Sequence, residues 1–143
     1  MIIEGAFLCL ALNVYKEARG EPFVGQQAVA LVTLNRVAAA KGDRDVCAVV
    51  LARKQFSWTI TDVRDGKLLP GKVPDRTSKA WKRAERAALE AVFMRDFTGG
   101  ATHFHAIKIK PYWSASLERV GQWGNHYFYR SQNEYLDTYT RDK

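Results

Sequence analysis

The run from Glu4 to Ala18 is apolar on nearly every side of a helix, and it ends on a single carboxylate, Glu17. A helix with no polar face has to lie at the centre of a fold, with other elements packed around it. Gly20 and Pro22 follow at once. They predict a helix stop by glycine and no continuation through proline. A carboxylate on the rim of such a helix is open to desolvation, which favours its protonated form.

The remaining pattern predicts a mostly helical α+β domain, with helices first and a small antiparallel sheet last. A second helix runs from about Val24 to Ala39 or Ala40. It carries Ala28, Leu31, Val32 and Asn35 on one face. Asn35 is the polar residue on that face, and its expected role is to bind a nearby backbone group. A short helix over 46–52 follows Asp45, a good N-cap. The polar stretch 61–75, rich in Gly and Pro, reads as a long loop. A third long helix spans about 78–95, with Trp81, Ala84, Ala88 and Ala91 facing inward and a charged face turned to solvent. After Gly99-Gly100 the alternation of residues 101–109 predicts a strand. Gly124-Asn125 between two apolar runs predicts a hairpin. The whole chain, 1–143, reads as one domain with a polar tail from 131.

Composition removes some function classes. Hydrophobic residues make up 47% of the chain, enough for a packed core rather than a disordered segment. The formal charge of +7 suits an anionic polymer partner of any kind. Lys and Arg are spread along the chain, whereas a nucleic-acid groove would gather them among the aromatics. No nucleic-acid partner is therefore expected. The N-terminus has no basic segment of the secretory type, and the apolar run 6–12 is too short to cross a bilayer. The expectation is a monomer without a signal peptide or membrane insertion. Cys9 and Cys47 lie in apolar helical surroundings and are read as buried free thiols, with a disulfide as the alternative. His103 and His105 stand two apart on one strand face, but no third ligand accompanies them, so neither a metal site nor a cofactor is expected.

Several residues have side chains suited to a saccharide. Phe56, Trp58, Tyr112, Trp113, Trp123 and Tyr127 lie in loops or turns, where aromatic faces can pack on sugar rings or stack nucleobases, while half or more of the set fills the core. Gln55, Ser57 and Thr59 offer side-chain hydrogen bonds beside these rings. Tyr15, Trp58, Tyr112 and Trp113 are the candidate groove walls. Phe56, His103 and His126 complete the candidate binding set, and His126 is suited to orienting a neighbour by hydrogen bonding.

The segments Ala11-Leu12-Asn13-Val14-Tyr15-Lys16-Glu17-Ala18-Arg19-Gly20-Glu21-Pro22 and Leu34-Asn35-Arg36-Val37 resemble the SleB-like cell wall hydrolase family, the spore cortex-lytic enzymes. So do Gln55-Phe56-Ser57-Trp58, Ala101-Thr102-His103-Phe104-His105-Ala106, Pro111-Tyr112-Trp113 and Gly124-Asn125-His126-Tyr127-Phe128. The resemblance covers about residues 8–130. It implies a lysozyme-like fold related to goose-type lysozymes and lytic transglycosylases. It also implies bacterial peptidoglycan as substrate, no cofactor, and Glu17 as the catalytic residue. His103 and His105 stand where the family commonly has tyrosine or phenylalanine. A compact basic domain of this kind, read without a leader, is similar to a phage endolysin held in the host cytoplasm until it is released to the wall.

A glycosidase of the ordinary kind pairs two carboxylates across the bond. Glu21, Asp62 and Asp65 are the candidate partners of Glu17. If none lies close, the resemblance favours lytic transglycosylation of the bond between N-acetylmuramic acid and N-acetylglucosamine, with Glu17 giving its proton to the glycosidic oxygen and also accepting that of the muramic C6 hydroxyl. Hydrolytic muramidase activity is the alternative. A non-catalytic module that binds wall or nucleic acid is the alternative from another class.

Overall fold

The computed structural model describes residues 2–52 and 56–131. Gln55 and the tail beyond 131 lie outside the described residues. Among the described residues, five helices come in the order α1 (Ile2–Ala18), α2 (Phe23–Ala39), α3 (Val46–Leu51), α4 (Thr59–Asp62) and α5 (Lys79–Phe93). The strands are β1 (Val63–Arg64), β2 (Lys67–Leu68), β3 (His103–Ala106), β4 (Glu118–Trp123) and β5 (His126–Arg130). A 3-10 turn, Tyr112–Ser116, precedes β4. The result is a mostly helical α+β domain.

Helix α1 is central, as its pattern requires, and packs on α2, α3 and α5. Leu10, Ala11, Leu12 and Val14 are buried against Ala28 to Val32 of α2 and the small-residue stripe of α5. That stripe is Ala84, Ala87, Ala88 and Ala91, set around a fully buried Trp81. Small residues let three helices approach closely, and one large ring fills the space that remains. Ser78 caps α5 by accepting from Trp81 N, and Asp45 caps α3 by accepting from Ala48 N. Each cap satisfies one of the donors that a helix start leaves free.

A buried polar knot also ties the helices together. Asn13 Nδ2 donates to Thr33 Oγ1 of α2 (3.1 Å), and Trp58 Nε1 donates to Asn13 Oδ1 (2.8 Å). With both ends satisfied, the amide sits in the core without the desolvation penalty that a lone one would carry.

Three expectations are corrected here. Gly20 is not in the left-handed region that would make it a glycine stop. Helix α1 instead closes with Glu21 N donating to Ala18 O (2.9 Å), and Pro22 opens α2. The stretch 61–75 is not one long loop. Asp65 (φ 55°) and Gly66 (φ 73°) form a two-residue turn that pairs Val63 with Leu68 and Arg64 with Lys67. An Asp-Gly pair is a strong signal for such a turn. Cys9 and Cys47 are joined in a disulfide that links α1 to α3, so they are not free thiols. Among the described residues, no helix is long and apolar enough to cross a membrane.

The sheet order is β3-β5-β4, antiparallel throughout, with a bulge in β4 between Arg119 and Gly121. Phe128 of β5 is fully buried, stacks on Phe104 of β3 and takes an edge contact from Trp123. Two residues of α2 hold the sheet in place. Asn35 Nδ2 donates to Ala101 O (2.9 Å), and Arg36 Nε donates to Thr102 O (2.6 Å). The start of β3 is thereby fixed against the C-terminal half of α2. Asn35 does bind backbone, as its position on the apolar face predicts.

Candidate active site

Glu17 stands in the last turn of α1 and faces a cleft of about 430 Å³ between the helices and the sheet. Arg36 comes from α2, and Phe56 and Ser57 come from the segment before α4. His103, Phe104, His105 and Ala106 come from β3, His126 from β5, and Ile109 and Trp113 from the connection that follows β3.

Burial pushes the Glu17 carboxyl up to about 7, and the nearby Arg36 charge offsets only part of that effect. Burial also brings Arg36 down to about 10, with Glu17 opposing, so the guanidinium stays charged. Its carbon lies 4.6 Å from the centre of the Phe56 ring, and Nε is anchored on Thr102 O. Arg36 is therefore a fixed positive charge beside a carboxyl that is poised to release a proton.

The histidines form an aromatic wall. His105 Nδ1 donates to Ala106 O (2.7 Å), so its Nε2 accepts from Tyr129 Oη (2.7 Å). Its ring stacks on Tyr129 and meets the edge of Trp113. His103 also packs on Trp113, and burial, followed by the Arg36 charge, holds it below the usual histidine range. It is therefore neutral near pH 7. Among the described residues, no group of three metal-ligating side chains gathers.

The cleft brings together Glu17, Phe56, Ser57, His103, Trp113 and His126 from the candidate set. Trp58 and Thr59 are corrections. Both are buried, Trp58 on Asn13 and Thr59 with its hydroxyl on Phe56 O (2.6 Å), so neither presents polar atoms to the cleft. Tyr15 does not line it either, since its ring packs on Trp81 and under Arg19. Tyr112 is almost wholly exposed beside Trp113 and outside the lining.

Arg36, Phe104, His105 and Ile109 join the lining without having been foreseen as site residues. Arg36 is the lone cation of α2, but nothing local in the sequence marks it as a site residue.

None of the three candidate partner carboxylates lines the cleft. Asp62 is held by Lys16 Nζ (2.8 Å) and Lys72 Nζ (3.6 Å). Asp65 occupies the β1–β2 turn. Glu21 is bound through both oxygens to the β4–β5 turn. Oε1 accepts from Asn125 N (2.6 Å) and lies 3.1 Å from His126 Nδ1, and Oε2 accepts from Asn125 Nδ2 (3.1 Å). Burial alone would raise Glu21, but these hydrogen bonds outweigh it and keep the carboxyl low and ionised. Gly124 (φ 65°) permits the approach, since a Cβ there would stand 2.6 Å from Glu21 Oε1. Among the described residues, Glu17 is the only acid that lines the cleft.

Known proteins share this arrangement of elements. The spore cortex-lytic enzyme of Halalkalibacterium halodurans is 38% identical over 120 residues, which is 83% of this chain and 33% of that protein. Its Bacillus cereus counterpart is 34% identical over 83% of this chain and 42% of its own length. The chain thus spans well under half the length of these curated relatives. The crystal structure of the catalytic domain of the Bacillus cereus SleB protein superposes with a TM-score of 0.70 at 29% identity, covering 89% of this chain and 91% of that one. The catalytic domain of the germination-specific lytic transglycosylase SleB from Bacillus anthracis gives 0.69, also at 29% identity. The fold is the lysozyme-like α+β fold of those domains. The family model described as Cell Wall Hydrolase matches residues 20–129, most of the chain and every cleft-lining residue except Glu17. The chain belongs to the SleB-like Cell Wall Hydrolase family.

Proposed function

We propose that this domain cleaves peptidoglycan between N-acetylmuramic acid and N-acetylglucosamine by lytic transglycosylation, with Glu17 as the one general acid and base. One observation carries the reading: a carboxyl raised to about 7 lies in a cleft lined by no second acid among the described residues. A hydrolase of the two-carboxylate type needs that second group near the bond. Transglycosylation does not, because the muramic C6 hydroxyl of the substrate itself attacks C1. Relatives named spore cortex-lytic enzymes and a germination-specific lytic transglycosylase agree with this choice.

In this reading Glu17 protonates the leaving glycosidic oxygen as positive charge develops at the muramic C1. Arg36 then stabilises the carboxylate that remains. Trp113, His103 and Ser57 supply a ring face and polar contacts for the glycan. The +7 charge of the chain favours residence on an anionic wall, an effect that added salt weakens.

Mass spectrometry of digested, purified peptidoglycan tests the reading. Anhydromuramic ends are the expected product. Reducing muramic ends would replace transglycosylation by hydrolysis, and an absence of soluble fragments would leave a binding module.

The pH dependence has a definite sign. The active form of a general acid is the protonated one, so the rate should hold below about pH 7 and decline above it. By pH 8 the decline should approach roughly tenfold. Initial rates of fragment release between pH 5 and 9 measure this, and a rate that stays flat to pH 9 would remove Glu17 from the acid role.

A further inference from the structure

Apart from the cleft, a second hollow of about 530 Å³ is lined by Phe23 at the start of α2 and by Lys82, Arg83 and Arg86 of α5. Three cations within about one helical turn repel one another, and such a face gains from an anion that neutralises it. Among the described residues, no acid lines the hollow.

The two guanidinium groups are held in place. The Arg83 carbon lies 5.7 Å from the centre of the Phe23 ring, and the Arg86 carbon lies 6.0 Å from it, so one aromatic face attracts both. Arg83 Nη1 donates to Glu21 O (2.9 Å), and Arg86 Nε donates to Glu90 Oε2 (2.9 Å). Most of each five-donor fork stays open to a further acceptor. Lys82 is exposed and makes no hydrogen bond or ion pair among the described residues.

The acids nearby do not cancel this charge. The Glu21 carboxylate is turned to Asn125, which leaves only its backbone carbonyl on Arg83. Glu90 is shared between Arg86 and Gln27 Nε2 of α2 (3.1 Å), and Glu85 is the other acid of α5. Glu21 also links the hollow to the cleft, since its carboxylate meets His126 of the cleft wall. A wall polymer in the cleft therefore passes close to the cations.

We propose that this hollow is an anion subsite that takes a phosphate or carboxylate group of the wall polymer and holds the enzyme beside its glycan. Guanidinium forks and an ammonium group match the oxygens of either anion. The proposal rests on peptidoglycan as the substrate in the reading above, and not on the route of cleavage. The anion has two possible sources, the phosphodiester of a polymer linked to the wall and the carboxylates of the peptide stems. Leu89, Val92 and Phe93 are exposed further along α5 but do not line the hollow, which favours a polymer anion over a lipid surface.

Cosedimentation with purified sacculi tests the subsite, using the Glu17→Gln protein so that the wall stays intact. Adding Lys82→Gln/Arg86→Gln leaves Arg83 on Glu21 O and Glu90 on Gln27, and it should weaken binding by about tenfold. Arg64→Gln/Lys67→Gln on the β1–β2 hairpin removes the same charge and should change binding by less than about twofold. Equal losses from the two pairs would overturn the subsite, because net charge alone would then explain binding. Sacculi stripped of phosphodiester polymer and sacculi stripped of peptide stems separate the two sources. The treatment that removes the preference for Lys82 and Arg86 names the anion, and a preference that survives both treatments would overturn the proposal. So would a loss confined to vesicles of anionic lipid. On soluble glycan strands free of peptide and phosphate, the Lys82→Gln/Arg86→Gln variant with Glu17 intact should keep the wild-type kcat, and a fall there would contradict a role in polymer binding. Reducing ends from the wild type on those strands would overturn transglycosylation and leave the subsite standing.

Discussion

Glu17→Gln is expected to abolish cleavage and, above neutral pH, to make the protein more stable. The two effects have one origin. The carboxyl is pushed up to about 7 because the end of α1 and the cleft take it out of water. That burial keeps a proton on Glu17 for catalysis, and it penalises the folded state whenever the proton is lost. Glutamine keeps the shape and the hydrogen-bonding oxygen but has no proton to give. The rate should therefore fall by at least roughly 10³-fold, within the range known for general acids.

The sign of the stability effect follows from where the proton sits. Between its ordinary value of 4.5 and about 7, the folded chain holds a proton that the unfolded chain releases. Stability therefore drops as pH rises through that window. The full difference corresponds to an upper limit of roughly 3 kcal/mol. Glutamine removes this loss. The variant should gain about 1–3 kcal/mol at pH 8 and almost nothing near pH 4, visible as a melting temperature several degrees higher at the upper pH only. Strong residual lysis, or a melting difference that ignores pH, would contradict the assignment.

Much of the scaffold was legible because its signals are periodic. The nearly all-apolar α1, the small-residue stripe of α5 around Trp81, and the cap Asp45 follow from spacing and local hydrogen bonding. Glu17 stood out because a lone carboxylate ends an apolar helix. Residues whose role depends on distant parts of the chain were harder to read. Trp58 and Thr59 have the composition of a sugar-binding loop, yet Trp58 completes the polar knot at Asn13 and Thr59 closes a local turn. Nothing local separates an aromatic that faces glycan from one that faces core. The Glu21–His126 contact spans 105 positions, so the sequence could offer Glu21 as a second acid but could not reveal that His126 and Asn125 engage it. Arg36 was hidden for the same reason, since its partners Thr102 and Phe56 come from other elements.

Removing the disulfide should have the largest effect on stability. Cys9 and Cys47 close a loop across 38 positions. That loop carries the end of α1 with Glu17 and the whole of α2 with Arg36, two of the side chains that make the cleft. On the chain-entropy argument, a cross-link of this span disfavours the unfolded state by about 4 kcal/mol. The Cys9→Ala/Cys47→Ala double variant should lose about 2–4 kcal/mol, or on the order of 10 °C in melting temperature. Reductant should lower the wild type towards the variant and leave the variant unmoved, and a wild type that melts at the same temperature with and without reductant would sink the prediction. The Asn13–Thr33–Trp58 knot does not depend on the bridge and still ties α1 to α2. Activity at low temperature should therefore outlast the loss of stability, and the two should part as the temperature rises. A chain with this bridge reaches full stability only where thiols stay oxidised.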